Sequence, residues 1–460
     1  MNRWIVPGVA VVVVAGAVVA GPQIPVAEPP VAVASVDAAR VSLVCPVEAS
    51  EGVTQVLAAA SSSQPVRLAV LGEPDGADQQ DLATVVTNPA AWTRVAALAT
   101  DSFGGMTWLT APETAERGMS GAPCLAPSTE QWFTGVELTA NTQASIMLAN
   151  LDSTDAMADV TIWTADGPAQ AAGLGGIKVI AGQTTEVPLN VKLTTVEPVA
   201  VRVATSKGRL VAYLRQHLWQ GAQPRGGDWI PEGGSPASKL VIPGIPAGTG
   251  TRTLVIANAG QDPVIVQAEM LGLEGVSSPP GLEAIAVNGQ SVVTVDAAAP
   301  LADQAGSLRL TSTGAITAGI ILSSDGTGAA SDPAYLAAAA PLDSDGLWPF
   351  PVPATTALTL QLVNAGDAPQ TAIVTATTAP GVAGKQTNVA LPAGTTVTVK
   401  LPKTDMRVLH IQTTATDVYG VVLATGQIGT ISGLAAVPLV SFETPRDTTG
   451  ITNDPRVGVP

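Results

Sequence analysis

The sequence is poor in the residues on which most enzymes rely for acid–base and nucleophilic chemistry. Its 460 residues include two histidines and two cysteines. His217 and His410 lie far apart in the sequence, and neither has a local acidic partner. A histidine-based catalytic triad or metal cluster is therefore not expected. The sequence also lacks a P-loop, a complete dinucleotide-binding motif and a Gly-x-Ser-x-Gly elbow. We expect no enzymatic activity, no metal and no cofactor.

Basic residues are also scarce. The sequence contains 21 Lys and Arg against 37 Asp and Glu, a formal net charge of −16, and no Lys/Arg cluster reverses this balance locally. Such a charge repels the phosphate backbone of nucleic acids and the surface of anionic lipids. Nucleic acid is therefore excluded as a partner.

Aromatic and charged residues are both few. Hydrophobic residues make up 46% of the chain but aromatic residues only 3%, so the apolar content is mostly Ala, Val, Leu and Ile. Many turns are expected from the 46 glycines and 37 prolines. This composition favours short strands over amphipathic helices, and its hydrophobicity argues against disorder. The length allows three or four domains.

The N-terminus carries one charge, Arg3, before an apolar run. We interpret residues 1–20 as a signal peptide or a membrane-anchor helix, and both alternatives stay open. Residues 21–39 are rich in Pro and Ala and predict an extended spacer. Either interpretation predicts an extracytoplasmic chain, secreted or anchored to the membrane by its N-terminus.

Three segments repeat the same pattern at slightly more than 100 residues. Each begins with an alternating strand that closes on an asparagine, at Asn150, Asn258 and Asn364. A turn at a glycine followed by another strand comes next, at Gly182, Gly289 and Gly394. We interpret these six residues as structural, with the asparagines capping turns. A third block in each segment predicts a β-hairpin.

Alternating strands with turn signals every 8 to 12 residues predict an all-β protein. The expected architecture is a tandem array of Ig-like antiparallel β-sandwich modules behind the N-terminal hydrophobic helix. The predicted boundaries are a divergent β module with a disulfide at 40–140, repeats at 141–246, 247–353 and 354–445, and a C-terminal tail at 446–460.

Cys45 and Cys124 are not in a metal-binding or CxxC spacing. Behind a targeting segment, a disulfide between them is the preferred interpretation, with two buried thiols as the alternative.

Three tryptophans fall in segments that we interpret as connectors, 219–246 and 333–353. Trp219, Trp229 and Trp348 there are either platforms for a glycan ligand or large side chains that fill the seams between modules, and we prefer the second interpretation.

The stretch from Ala122 to Gly135, with its Cys-x-x-Pro and Trp-Phe residues, resembles a family of actinobacterial extracytoplasmic proteins known only as a domain of unknown function. The repeated strand–Asn and glycine-turn blocks also resemble those of this family. The resemblance implies an extracytoplasmic location and a β-rich architecture, and it implies no activity.

The preferred hypothesis is a non-enzymatic cell-envelope protein that acts as a scaffold or interaction module. The alternative is a polysaccharide- or peptidoglycan-binding protein, and a hydrolase that uses only carboxylates is the least favoured. Possible partners are the membrane, through the N-terminal segment, and cell-wall glycan or envelope proteins. The oligomeric state stays open.

Overall fold

The computed structural model describes residues 40–47, 52–60, 66–73, 83–89, 91–98, 102–324, 331–377, 384–404 and 407–440. The predicted signal peptide or anchor, the spacer and the C-terminal tail lie outside these residues. Within the described ranges, no helix is long and apolar enough to cross a membrane.

The prediction of an all-β protein is confirmed. The described residues form 32 strands and a single short helix, α1 (Ala298–Leu301). The strands are rich in Val, Ile, Thr and Leu, whose side chains pack well on a pleated surface. By strand pairing they fall into four modules, which we call A (40–123), B (130–230), C (237–337) and D (345–438).

Modules A and B contain the first sixteen strands. Module A comprises β1 (Arg40–Cys45), β2 (Val53–Ala60), β3 (Arg67–Val70), β4 (Ala83–Thr87), β5 (Thr93–Leu98), β6 (Phe103–Ala111) and β7 (Gly118–Pro123). Module B comprises β8 (Glu130–Val136), β9 (Thr142–Ala149), β10 (Ala156–Thr164), β11 (Gly167–Pro168), β12 (Ile177–Val179), β13 (Thr184–Pro188), β14 (Val199–Lys207), β15 (Val211–Gln220) and β16 (Gln223–Ile230).

Modules C and D contain the remainder. Module C comprises β17 (Ala237–Ile245), β18 (Arg252–Asn258), β19 (Val264–Gly272), β20 (Val276–Ser277), β21 (Ile285–Val287), β22 (Ser291–Asp296), α1, β23 (Gly306–Ser323) and β24 (Pro333–Ala337). Module D comprises β25 (Asp345–Phe350), β26 (Ala357–Asn364), β27 (Gln370–Thr377), β28 (Lys385–Leu391), β29 (Thr395–Lys400), β30 (Arg407–Thr413), β31 (Val418–Ile428) and β32 (Ile431–Pro438).

The four modules share one strand order in two antiparallel sheets, which the long strand β23 joins in module C. In module D the sheets run β25-β30-β27-β28 and β29-β26-β31-β32. The corresponding sheets of module B run β8-β14-β10-β11 and β13-β9-β15-β16, and those of module A run β1-β5-β3 and β4-β2-β6-β7. The two sheets of each module face one hydrophobic core. Module A therefore has the same topology as the three repeats, although its sequence does not show the repeat.

The predicted hairpins are wrong. The two strands of each predicted hairpin, such as β14 and β15, lie in opposite sheets of their module and do not pair. In module C they are one continuous strand, β23, whose first half pairs with β17 and β19 and whose second half pairs with β18 and β24. Alternation of apolar residues identifies strands but does not say in which sheet each lies, because either sheet buries one face.

The tryptophan-containing segments are not connectors. Residues 219–246 contain β16 and β17, and residues 333–353 contain β24 and β25. By pairing, β8, β17 and β25 are the first strands of modules B, C and D, so each of these modules starts one strand earlier than the predicted boundaries at 141, 247 and 354.

The four modules close on one another in a cycle. Their last strands make contact in the order β7, β16, β24, β32 and back to β7. Each core also includes a residue from a neighbouring module: Tyr213 of B joins the core of A, Tyr335 of C that of B, Leu434 of D that of C, and Trp108 of A that of D. Module D therefore packs against module A, and we call this arrangement the ring.

Candidate functional site

The predicted disulfide is confirmed. Cys45 ends β1 and Cys124 directly follows β7, and their Cα atoms are 4.2 Å apart. Both cysteines are fully buried in the core of module A. A Cβ atom on Gly105 would lie 2.5 Å from the Cys124 sulfur, so only glycine fits beneath the bond. The bridge ties the first strand of module A to the segment that enters module B.

Three buried asparagines occupy the same place in modules B, C and D. The Asn364 amide donates to the carbonyl oxygens of Ala368 (2.8 Å) and Leu391 (2.9 Å), and its oxygen accepts from the Gly366 N–H at 3.0 Å. Asn150 and Asn258 make the matching three contacts, two in their own turns and one to the carbonyl of Val179 or Asn288 further along the chain. Each side chain thus bonds to three backbone groups and ties its turn to a later segment of the same module.

The three repeat glycines meet two different needs. Gly182 and Gly394 have φ angles of +70° and +65°, which glycine adopts without steric cost. In module C the left-handed residue is instead Gln290, with φ +56°. Gly289 is required for space, because a Cβ atom there would lie 1.8 Å from the Gln261 carbonyl oxygen.

Two of the three tryptophans are buried in hydrophobic cores, Trp229 in that of module A and Trp348 in that of module D. Trp229 is 6% exposed, lies edge-on to Tyr213, and has the Arg215 guanidinium 5.1 Å from its ring centroid. Trp348 is 3% exposed and donates its indole N–H to the Val440 carbonyl at 2.9 Å. Neither ring presents a face on which a sugar can stack. Trp219, at the end of β15, is half-buried and keeps part of its surface.

The centre of the ring contains a buried carboxylate that touches three modules. Asp332 of module C is fully buried, and its Oδ2 accepts from the N–H groups of Met119 in module A and Leu434 in module D, both at 3.0 Å. Burial raises the pKa of Asp332 to about 8, although these two bonds and Arg215 of module B oppose the shift. The glycine that precedes Met119 is obligatory, since a Cβ atom on Gly118 would lie 2.0 Å from Asp332 Oδ1.

A buried ion-pair network joins modules A and B beside this carboxylate. Glu116, in the turn between β6 and β7, accepts from both Arg215 and His217 of β15. Burial opposes ionisation, but Arg215 and His217 hold the pKa of Glu116 at about 2. Asp228 lies nearby, and burial raises its pKa well above the ordinary value.

The second histidine also has an acidic partner from a distant segment. His410 Nε2 lies 2.5 Å from Asp345 Oδ1, and Ser102 donates its hydroxyl to Asp345 Oδ2 at 2.6 Å. Activation of a serine requires the histidine to contact the hydroxyl, with the carboxylate behind it. Here the carboxylate lies between the two, so the order is wrong for a nucleophilic serine. We interpret the three as a contact between modules A and D.

The sequence did not reveal these partners because the residues are far apart along the chain. Glu116 and His217 are separated by 101 positions, and Asp345 and His410 by 65. Among the described residues, no group of three or more His, Cys, Asp or Glu side chains is arranged to hold a metal ion.

An open cleft lies between modules C and D. It has a volume of about 300 Å³ and is bounded by the β17–β18 connection, the end of β23 and the β31–β32 hairpin. Its lining is rich in hydroxyl groups and includes Arg252.

Much of the chain matches a protein-family model. A family model described as a family of unknown function, DUF5719, matches residues 99–402. The chain belongs to this family. The match covers all of modules B and C. It includes Cys124 and residues 122–135, on which the resemblance was based, and Cys45 lies outside it. No curated protein matches the chain.

Proposed function

We propose that this DUF5719 member is a non-enzymatic scaffold or interaction module that works outside the cytoplasmic membrane, with each module an Ig-like sandwich. The observation that carries the proposal is the ring, in which the ionisable groups at the centre contact one another and the backbone. Glu116, Asp228 and Asp332 are 7%, 2% and 0% exposed. Groups that catalyse proton transfer must reach the substrate, and these carboxylates do not. Their role is to hold neighbouring modules together.

The buried disulfide supports the proposed location. Disulfides persist in oxidising compartments and are rare in the cytosol. The N-terminal apolar segment adds a route of export, whether it is cleaved or remains as an anchor.

Cell fractionation tests the location. Cells that express the full chain are treated with a membrane-impermeant thiol reagent, fractionated, and probed for the oxidised Cys45–Cys124 peptide by mass spectrometry. We expect an oxidised chain in the envelope or the medium. Recovery from the cytosol with two free thiols would contradict the proposal.

A second candidate function is the binding of envelope polysaccharide. It is favoured by the partly exposed Trp219 and by the hydroxyl-rich cleft between modules C and D. Incubation of the protein with isolated cell wall, followed by sedimentation, tests this function. Retention that is lost on adding soluble wall fragments supports it, and complete recovery in the supernatant counts against it. The same incubation, assayed for released reducing sugar, tests the carboxylate-only hydrolase hypothesis, for which we expect no release.

A further inference from the structure

Modules B and C end one of their sheets with interrupted edge strands. β11 and β12 of module B both pair with β10, and β20 and β21 of module C both pair with β19. Each of these edge strands has two or three residues. An interrupted edge offers few consecutive unpaired N–H and C=O groups, which protects a sheet from pairing with another chain.

Module D ends the corresponding sheet with an intact strand. β28 pairs with β27 over all seven of its residues and contains no proline. Lys385, Gln386, Thr387 and Asn388 follow one another in β28 and are all exposed. Across the part of the chain that the structure describes, no strand pairs with the outer edge of β28. The N–H and C=O groups on this edge are therefore available to a further strand.

The other sheet ends of module D are covered by neighbouring modules. β25, at the opposite end of the same sheet, contacts β2 and β6 of module A. In the second sheet, β29 contacts β19 and β23 of module C, and β32 contacts β7 of module A. The outer edge of β28 is thus the sheet end that the ring leaves open.

The sequence of β28 is complementary to itself in the antiparallel orientation. A twofold axis at Asn388 places the side-chain amides of two copies opposite each other, and an amide both donates and accepts hydrogen bonds. Thr387 of each copy then lies opposite Val389 of the other, which is a pair of β-branched side chains. The strand has no acidic residue, so the net charge of −16 on the whole chain is not concentrated at this edge.

Charge also favours the antiparallel orientation. In this orientation Lys385 of each copy lies at the end of the strand where the other copy has Leu391. Leu391 pairs with Gln370, and the exposed turn before Gln370 contains Asp367. The antiparallel arrangement therefore brings a lysine towards an aspartate twice, whereas a parallel arrangement in register places the two lysines side by side.

We propose that two copies of this chain pair through the outer edges of their β28 strands, so that the two sheets become one continuous antiparallel sheet. This inference goes beyond the scaffold role proposed above and does not depend on where the protein is located. An edge of seven residues buries less area than a standard protein–protein interface, so the dimer is weak and reversible. The single chain folds without the dimer, and substitutions at this edge change association while leaving folding intact.

Sedimentation velocity of the full chain at increasing concentration measures the association. We expect the fraction of dimer to rise with concentration. The N-terminal apolar run is present in every variant, so association through that run does not differ between them. A chain that stays monomeric up to millimolar concentration overturns the proposal, and this is also the result expected if the edge binds an extended segment of another protein instead.

Cross-linking locates the interface. Opposite residues of an antiparallel pair have Cβ atoms about 4.5–5.5 Å apart, so Asn388→Cys should form a disulfide between two copies under mild oxidation. The native cysteines do not compete, because they already form a buried disulfide. Asn141→Cys, in an exposed turn of module B, is the matched control. On non-reducing electrophoresis we expect covalent dimer to form at least tenfold faster in Asn388→Cys, and equal rates overturn the interface.

A charge exchange tests the antiparallel orientation. Lys385→Glu and Asp367→Lys each bring like charges together, and each should raise the dissociation constant at least threefold. The double variant restores opposite charges and should associate as the unaltered chain does. A double variant that associates no better than the single variants overturns the antiparallel arrangement. Thermal unfolding of each variant at low concentration confirms that the chain is folded.

Discussion

The repeat asparagines of modules B, C and D use both ends of the side-chain amide to bond to backbone groups. The asparagine side chain offers two donors and an acceptor. Asn364 uses one donor and the acceptor on its own turn, and the other donor on the Leu391 carbonyl at the end of β28. An aspartate has nearly the same shape but only acceptors. Replacing the asparagine by aspartate therefore keeps the shape of the side chain and removes its two donors.

The substitution Asn364→Asp should lower the free energy of unfolding by about 3 kcal/mol, because a buried carboxylate would face two carbonyl oxygens. Urea denaturation of both proteins measures the difference. Asn388→Asp, on the exposed side of β28, makes the same chemical change and should have little effect. A similar loss in both variants would mean that the turn contacts of Asn364 are unimportant.

The buried carboxylate of Asp332 predicts a pH dependence of stability. Its pKa is about 8 in the folded protein, raised by burial from 3.8. Between these two values the folded state binds more protons than the unfolded state, so stability should fall as pH rises from about 4 to about 8. Glu232, with a pKa raised by burial to about 7, acts in the same direction.

Thermal unfolding between pH 5 and pH 8.5 measures this dependence. The unaltered chain should lose stability across the range, and Asp332→Asn should lose less. Asp303→Asn removes an exposed carboxylate and should leave the pH profile unchanged. A chain that becomes more stable towards pH 8.5 would contradict the assignment.

The predictability of these residues depends on how far along the chain their partners lie. Asn150, Asn258 and Asn364 recur at a nearly constant spacing, and two of the three bonds of each go to residues two and four positions further on, so their pattern is visible in the sequence. Asp332 bonds to residues 213 and 102 positions away, and nothing local indicates either contact. Residues that hold distant modules together are thus the ones that alternation cannot reveal.

At the scale of elements, strands were predictable and their pairing was not. The alternating residues 308–320 identify extended chain, but the sequence does not show that β23 passes from one sheet to the other without a break. The disulfide was predictable, because only two cysteines exist and the apolar N-terminal run predicts export to an oxidising compartment.

The Cys45–Cys124 bridge closes a loop with a sequence separation of 79. Loops of this size lose about 4 kcal/mol of unfolded-state entropy when cross-linked. The double variant Cys45→Ala, Cys124→Ala should therefore have a free energy of unfolding lower by about 4 kcal/mol, as measured by urea denaturation. Adding a reductant should destabilise the unaltered chain and leave the variant unchanged, and equal responses would contradict the prediction.

At the scale of the molecule, closure of the ring gives the first and last modules the same number of neighbours as the others. In a linear tandem array the end modules have one neighbour each and open most easily. Here modules A and D contact each other through β7 and β32, so each module has two neighbours. The repeats in the sequence predict tandem modules, but no sequence pattern indicates that the last would return to the first.

Hydrogen–deuterium exchange tests whether the ring of four modules is closed in solution. The buried strands β6 of module A and β31 of module D should exchange as slowly as β14 of module B and the second half of β23 in module C. Gly121→Val, which inserts a side chain 2.8 Å from Trp108 and Val437, should increase exchange in modules A and D before it does so in B and C. Fast exchange of β6 or β31 in the unaltered chain would indicate an open array.

The contact between β7 and β32 also restricts how a protein of this architecture can change in length. An open array can gain or lose a repeat at little cost, because the new unit simply extends a stack. A closed cycle has a fixed circumference, and a fifth unit would change every angle between neighbours and separate the donors that meet at Asp332. The number of units is thus a geometric property of the cycle, and variation can enter only through loops that face away from its axis.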